Sequence, residues 1–183
     1  MLPWYAYLVL ACGWLVWFVP FLFAQIKRPG AATLDPRARW GMLLQAIAYS
    51  ILWQNRFWER PLPAWRLILA IALFLLAALL SWTSTRALGR QWRMDAGLLA
   101  DHELVTSGPY RMLRHPIYCS MFCTLLGTGF LLTPLLMILL ASLVFIAGAE
   151  IRVRIEDKLL ASRFGDRFDE YRRRVPAYIP FVR

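Results

Sequence analysis

Charge is absent from long stretches of this sequence, and that absence excludes an ordinary soluble domain. Three runs, residues 2–26, 67–85 and 116–149, contain 25, 19 and 34 residues without a single charged side chain. At about 1.5 Å of helical rise per residue, each approaches or exceeds the roughly 30 Å hydrocarbon core of a bilayer. With 60% hydrophobic residues among 183, the chain carries more apolar surface than a soluble domain could bury. We therefore expect an integral membrane protein.

Metal ligands and paired cysteines are also scarce. Cys12, Cys119 and Cys123 all fall in apolar runs, no Cys-x-x-Cys pair occurs, and the sequence has only two histidines. This pattern excludes a zinc site or a disulfide framework of the usual spacing. A glycine-rich dinucleotide-binding fingerprint is missing too, so nothing indicates a soluble Rossmann domain. No Lys or Arg precedes Lys27, so the basic start of a signal peptide is absent and the first run is expected to remain as a membrane helix.

The apolar runs predict five membrane-spanning helices. Residues 2–26 form the first, the shorter run 40–55 with tryptophans near its ends forms the second, and residues 67–85 form the third. Residues 116–149 would make one helix of about 51 Å, too long for a single crossing. We expect this run to fold back at Thr133-Pro134, giving a helical hairpin of spans four and five.

The predicted fold is an all-α integral membrane protein with about five transmembrane helices. Residues 1–85 hold helices 1–3, and residues 86–183 hold helices 4 and 5 with a C-terminal tail, in one integrated membrane domain. The fifth helix is expected to continue beyond the apolar run to Phe164 and to end at Gly165. The long segment 86–115 has room for an interfacial helix and an ordered loop.

Basic residues are distributed unevenly between the predicted loops. Segments 27–39, 86–115 and 150–183 contain 18 of the 21 Lys and Arg residues, and the others are Arg56, Arg60 and Arg66. Because cytoplasmic loops are enriched in basic residues, the N-terminus is predicted outside and the C-terminus in the cytoplasm, in a prokaryotic inner membrane. The formal net charge of +10 then reflects contact with anionic membrane lipid, and nucleic acid is not an expected partner.

Two polar groups flank the predicted hairpin. Before it, the run Arg114-His115-Pro116-Ile117-Tyr118 starts a helix, whose unpaired N–H groups and dipole favour an anionic ligand. After it, Arg152 and Glu156 share one helix face, and the hairpin returns them to the depth of His115. Each group also has a structural explanation. His115 and Tyr110 could simply cap a helix at the membrane interface, and Arg152 with Glu156 could form a surface salt bridge.

In combination, these motifs resemble the isoprenylcysteine carboxyl methyltransferase family, part of a membrane methyltransferase group that includes phospholipid methyltransferases. The resemblance covers residues 86–181 and does not extend to the first two spans. It is carried by an ordered set of motifs: Leu104 to Tyr110, Arg114-His115-Pro116-x-Tyr118, the hairpin, Arg152-x-x-x-Glu156, Phe164-Gly165, Tyr171, Val175-Pro176 and Ile179-Pro180.

The resemblance implies a membrane methyltransferase that binds S-adenosylmethionine in a cytoplasmic pocket of the C-terminal half. It implies that Glu156 holds the amino group of the cofactor and that Arg152 faces the methyl acceptor, a lipophilic or small molecule, as the catalytic residue. The oligomeric state stays open. The remaining cofactor-binding residues fall into a nucleoside group and a second group around the rest of the molecule, namely His102, Glu103, Leu104 and Val105, and then Tyr110, His115, Ile117 and Tyr118.

Three positions depart from the family pattern. Asp157 stands where many members have a second glutamate, so the role of that carboxylate is open. Ser120 replaces a frequent glycine two residues after Tyr118, which predicts altered helix packing near the pocket. The loop before His102 also differs, so no contact is carried over to Asp95.

Two other classes of function remain as alternatives. Sterol-type membrane reductases have similar C-terminal regions and use NADPH, and Arg111, Arg114 and Arg154 could be recruited for its 2′-phosphate. A non-enzymatic scaffold or a transporter is the other alternative. No charged residue lies in the middle of a predicted span, so the usual mark of an ion pathway is missing.

Overall fold

The computed structural model describes residues 3–25, 33–53, 62–99 and 101–178, and the protein they form is almost entirely helical. Two 3₁₀ turns, Gly89–Gln91 and Gly108–Arg111, interrupt the segment that joins the third and fourth helices. The elements in chain order are α1 (Trp4–Gln25), β1 (Thr33–Leu34), α2 (Ala38–Ile51), α3 (Ala64–Leu88), β2 (Gly97–Leu98), α4 (Pro116–Leu132), α5 (Leu135–Phe164) and α6 (Asp166–Arg174).

The predicted hairpin of α4 and α5 is confirmed at both of its expected breaks. Thr133 is extended, with φ −146° and ψ 158°, and Pro134 precedes the first residue of α5, where its fixed φ begins a new helix. Further along, α5 runs on to Phe164 and ends at Gly165, whose φ of 53° lies in the region that glycine occupies without strain.

Within the described residues, three helices are long and apolar enough to cross a membrane: α1, α3 and α5. By helix composition the chain is a multi-pass membrane protein. The predicted second and fourth spans correspond to shorter helices, since α2 has 14 residues and α4 is an apolar helix of 17.

The segment between α3 and α4 differs from its prediction. In residues 89–99 and 101–115 the structure has two 3₁₀ turns and the short strand β2, with no interfacial α-helix. Gly89 and Gly108 adopt φ values of 50° and 59°, and these left-handed positions break any continuous helix. The strand β2 pairs antiparallel with β1, Thr33 opposite Leu98, and so ties this segment to the start of α2.

The helices pack as two pairs, α2 against α5 and α3 against α4, with α1 lying on α3 and α4. The α2–α5 pair approaches most closely at two glycines. A Cβ atom on Gly148 would lie 2.7 Å from the carbonyl oxygen of Gly41, and a Cβ atom on Gly41 would lie 2.5 Å from that of Gly148. Small residues of this kind permit the close backbone contact that drives helix association in lipid.

Hydrogen bonds fasten α1 and α2 to α4. Trp14 Nε1 donates to Thr128 Oγ1 at 3.0 Å, and Trp17 Nε1 donates to Ser120 Oγ at 3.1 Å. Tyr49 on α2 donates from its hydroxyl to the carbonyl oxygen of Met121 at 2.7 Å. The serine that departs from the family pattern therefore serves helix packing, since Ser120 anchors α1.

Arg66, at the start of α3, binds the C-terminal end of α4. Its guanidinium donates to the carbonyl oxygens of Thr133 and Gly129, at the end of α4, although the side chain is only 9% exposed. The Gly129 carbonyl also accepts the backbone N–H of Thr133, so the arginine adds a second donor there. A cation at the C-terminal end of a helix complements the helix dipole.

Several predictions fall outside the described residues. These are the structure of the basic loop from Lys27 to Gly30, the loop containing Arg56 and Arg60, and the motif Ile179-Pro180.

We predict that Gly148→Ala destabilises the protein by about 1–3 kcal/mol, because the added methyl group must push apart two backbones. The measurement is thermal unfolding in detergent. Ala147→Val is the matched control, since it enlarges the exposed neighbouring residue on the same helix and is expected to leave the midpoint unchanged. Equal midpoints for Gly148→Ala and the wild type would show that the α2–α5 contact is looser than described.

Candidate active site

A cavity of about 510 Å³ opens where α1, α2, the start of α4, the final turns of α5 and the segment 88–98 meet. Its volume lies in the range of roughly 300–1,000 Å³ that is typical of small-molecule sites. Part of the lining is polar and includes His115, Tyr118, Arg152 and Glu156. The rest is mainly aromatic and apolar, so the cavity suits a ligand or ligand pair with one polar and one apolar portion.

His115 lies between two carboxylates that α5 supplies. Its Nε2 atom is 2.9 Å from Asp157 Oδ1, and its Nδ1 atom is 3.6 Å from Glu156 Oε2. Asp157 also accepts a hydrogen bond from Arg114 at 2.6 Å. Burial of the ring opposes its charged form, but the hydrogen bonds and charges of Asp157 and Glu156 outweigh burial, so the pKa of His115 is raised. The sequence left the role of Asp157 open, and the structure shows that this carboxylate binds both His115 and Arg114.

Arg152 is held from three directions. Its Nε donates to the hydroxyl of Tyr118 at 2.6 Å, one Nη donates to the carbonyl oxygen of Met94 at 2.6 Å, and the same Nη lies 3.5 Å from Glu156 Oε1. Tyr118 in turn donates to Glu156. Because Arg152 is only 6% exposed, its pair with Glu156 is not the surface salt bridge that the spacing alone allowed.

The tail of the chain braces the start of α4. The backbone N–H groups of Arg114 and His115 donate to the carbonyl oxygens of Pro176 and Ala177 at 2.8 and 3.1 Å. Tyr171 on α6 donates from its hydroxyl to the carbonyl oxygen of Tyr110 at 2.7 Å. The distant motifs at Tyr171 and Val175-Pro176 therefore share a task, which is to fix the backbone on which His115 and Tyr118 are mounted.

The structure brings seven of the ten predicted site residues to the cavity wall. These are His102, Tyr110, His115, Ile117, Tyr118, Arg152 and Glu156. Glu103, Leu104 and Val105 do not line it. Glu103 is exposed, whereas Leu104 and Val105 are half-buried, and their contact with a ligand stays a prediction.

Four cavity-lining residues have a buried polar atom without a hydrogen-bond partner among the described residues: His102 Nδ1, Gln91 Oε1, Gln45 Nε2 and Arg114 Nε. Burial and then the charge of Arg163 lower the pKa of His102, so the ring is neutral near pH 7. Buried polar atoms are normally satisfied, so these atoms are candidates for hydrogen bonds to a ligand with both donors and acceptors. Asp95 lies nearby in the wall but is bound to Arg93 at 2.8 Å.

No role was predicted for α1 and α2, yet they supply a large part of the apolar wall. Trp14, Trp17, Phe18 and Phe21 line the cavity from α1, and Met42, Gln45 and Tyr49 line it from α2. The α1 residues have the spacing i, i+3, i+4 and i+7, which is one helix face. That aromatic stripe, and the polar Gln45 within a predicted span, were the signals available in the sequence.

Comparison with known proteins gives three similarities. The sequence profile of the family "Phospholipid methyltransferase" matches residues 65–167. A protein-S-isoprenylcysteine O-methyltransferase from Schizosaccharomyces pombe is 43% identical over 82 residues, which is 45% of this chain and 35% of that protein. The cobalt-zinc-cadmium resistance protein CzcN from Cupriavidus metallidurans is 31% identical over 142 residues, 77% of this chain and 62% of that protein. The chain therefore spans from about a third to three-fifths of the length of these relatives.

The raised pKa of His115 leads to a pH-dependent stability. A folded-state pKa above the unfolded value of about 6.5 means that the carboxylate contacts stabilise the protein fully below that pH. The contribution is lost as the pH rises through the higher folded-state pKa. We predict that Asp157→Asn lowers the free energy of unfolding by about 2 kcal/mol at acidic pH and by less at alkaline pH.

Thermal unfolding in detergent at several pH values measures this difference. Glu170→Gln is the control, since it removes a carboxylate from an exposed ion pair on α6. Curves for Asp157→Asn and the wild type that stay parallel across the pH range would contradict a charged His115.

Proposed function

This chain belongs to the phospholipid methyltransferase family, and on that premise we propose that it is a membrane-embedded, S-adenosylmethionine-dependent methyltransferase. Members of the family are S-adenosylmethionine-dependent methyltransferases. The observation that carries the proposal is the buried cluster of His115, Tyr118, Arg152 and Glu156 beside an aromatic cavity. Ionisable side chains gathered in the wall of a cavity, with Glu156 still partly exposed, mark a candidate site for a polar ligand rather than a surface for lipid contact.

The cavity has the donor set that the cofactor requires. Glu156 provides a carboxylate for its ammonium group, and the unpartnered His102 Nδ1 and Gln91 Oε1 provide partners for the edge of a nucleobase. Tyr110, His115, Ile117 and Tyr118 surround the remainder. By family resemblance, Glu103, Leu104 and Val105 complete the nucleoside portion. S-adenosylmethionine would supply an electrophilic methyl group to this site.

Arg152 would orient the acceptor. Met94 and Tyr118 hold its guanidinium, so the charge is already in place before an anionic acceptor arrives. A carboxylate acceptor is itself the nucleophile, so no residue has to remove a proton. Alignment of two bound reactants can lower the barrier by about 7–11 kcal/mol, and the aromatic wall keeps the site dry.

The acceptor is proposed to be a carboxylate or other nucleophile on a lipophilic or small molecule. The S. pombe relative is by name an isoprenylcysteine O-methyltransferase, and the apolar wall supplied by α1 and α2 suits the hydrocarbon portion of such a compound. Among the described residues, the three arginines considered for the 2′-phosphate of NADPH do not gather at the cavity, since only Arg114 lines it. Arg111 and Arg154 are exposed, and Arg154 is bound to Glu150 at 2.7 Å, whereas Arg114 is bound to Asp157.

The proposed topology has five spans, with the N-terminus outside and the C-terminus and cofactor pocket in the cytoplasm. Its support is that three basic segments meet at one end of the molecule. The pairing of β1 with β2 joins the first two, and the bonds from residues 114 and 115 to residues 176 and 177 join the second and third. Arg66, one of the three basic residues outside these segments, contacts Thr133 at the other end of α4.

The cofactor prediction is tested by calorimetric titration of the detergent-purified protein with S-adenosylhomocysteine and, separately, with NADPH. We expect S-adenosylhomocysteine alone to bind, with affinity at least about tenfold weaker in Glu156→Gln and in His115→Ala, because each loses a polar contact. Glu170→Gln again serves as the control and should bind normally. Unchanged affinity in both site variants would move the cofactor elsewhere, and binding of NADPH alone would replace the methyltransferase with a reductase.

The topology prediction is tested with single cysteines in a chain whose Cys12, Cys119 and Cys123 are replaced by alanine. An impermeant maleimide applied to intact cells should label Ala64→Cys, at the start of α3, and should label Glu170→Cys only after the cells are opened. The reverse pattern would invert the protein in the membrane.

A further inference from the structure

Gln45 is a buried polar side chain in the apolar part of the cavity. It lies on α2, is only 3% exposed, and lines the cavity, yet its Nε2 atom has no hydrogen-bond partner among the described residues. An amide donor that is buried without a partner costs free energy, and an apolar residue of similar volume would avoid that cost. We therefore expect a bound ligand to provide the hydrogen-bond acceptor for Gln45 Nε2.

The aromatic residues of the cavity wall are not that partner. The indole N–H groups of Trp14 and Trp17 are donors, so they cannot accept a hydrogen bond from Gln45. The hydroxyl of Tyr49 donates to Met121, and it is not a partner of Gln45. In this apolar part, Gln45 is the side-chain donor that the described residues leave uncommitted.

The glycine contact between α2 and α5 fixes where Gln45 lies relative to Arg152. Gly41 is level with Arg152, since a Cβ atom there would be 2.5 Å from the Arg152 Cγ atom. Gly148 is level with Gln45, because its Cβ atom would be 3.1 Å from the Gln45 backbone nitrogen. Gln45 thus lies one helical turn, about 6 Å, further along α2 than the level of Arg152.

We propose that Gln45 determines acceptor specificity by donating a hydrogen bond from Nε2 to a second oxygen of the acceptor. The acceptor class is then an amphiphilic carboxylate with an amide or ester carbonyl a few bonds from the carboxylate. Arg152 holds the carboxylate, Gln45 holds the carbonyl, and the hydrocarbon chain lies against the aromatic residues of α1. This inference rests on the proposed function, since it assigns the acceptor side of that site.

Two probes of equal chain length test the inference: N-dodecanoylglycine, which has the amide carbonyl, and pentadecanoate, which lacks it. Their binding to the full chain in lipid nanodiscs is measured by quenching of tryptophan fluorescence, with S-adenosylhomocysteine present. Gln45→Met removes the donor at nearly constant volume. Comparing each probe between the two proteins cancels its partition into lipid.

We expect Gln45→Met to weaken N-dodecanoylglycine binding about tenfold, because an unpaired amide must then be buried, and to leave pentadecanoate binding unchanged. The midpoint of thermal unfolding without ligand should stay equal to that of the wild type or rise. Ser50→Ala, on the exposed face of α2, should bind both probes as the wild type does. A purely structural role for Gln45 would instead lower the midpoint and weaken both probes equally.

Equal effects on the two probes, no effect on either, or no saturable binding of N-dodecanoylglycine to the wild type would each overturn the role of Gln45. S-adenosylhomocysteine binding is scored separately by calorimetry. If S-adenosylhomocysteine binds but Gln45→Met affects both probes alike, only the proposed role of Gln45 is refuted. If S-adenosylhomocysteine does not bind, the proposed cofactor is refuted whatever the probes show.

Discussion

The contact between His115 and two carboxylates of α5 is the constraint on which the rest of the site depends. His115 immediately precedes α4, and both of its ring nitrogens lie close to side chains from the later part of α5. Buried charges persist only when each has a partner, so this cluster is stable only with the hairpin closed. Tyr118, one turn further on, then receives the hydrogen bond of Arg152. Closure of the hairpin and assembly of the site are one event.

The helices around this cluster follow the rules of packing in lipid, where the hydrophobic effect gives no reason for two apolar helices to associate. Small residues and side-chain hydrogen bonds must hold them together. The Gly41–Gly148 approach joins α2 to α5, and the indole groups of Trp14 and Trp17 join α1 to α4. These contacts also shape the cavity, because Gln45 near the first contact and both indole groups of the second line it.

The parts of this structure that the sequence predicts well are those with local causes. The proline after Thr133 and the glycine at 165 favour helix ends through local backbone geometry, and both breaks occur where expected. The contact of Asp157 with His115, 42 residues away, has no local cause. Gln45 likewise looks like one polar residue in an apolar run until α5 is placed beside it. Family resemblance predicted the main residues of the polar cluster, but it could not predict the part of the cavity wall that α1 and α2 form.

The boundary of the family match runs through the cavity itself. Residues 65–167 contain the polar cluster, whereas the aromatic face of α1 and the whole of α2 lie before them. Substitutions in the first 60 residues of such a protein would therefore change the wall formed by α1 and α2 and leave the polar wall unchanged. Relatives can differ in the acceptors they bind while keeping the same polar cluster, so similarity over the matching segment says little about the wall that α1 and α2 form.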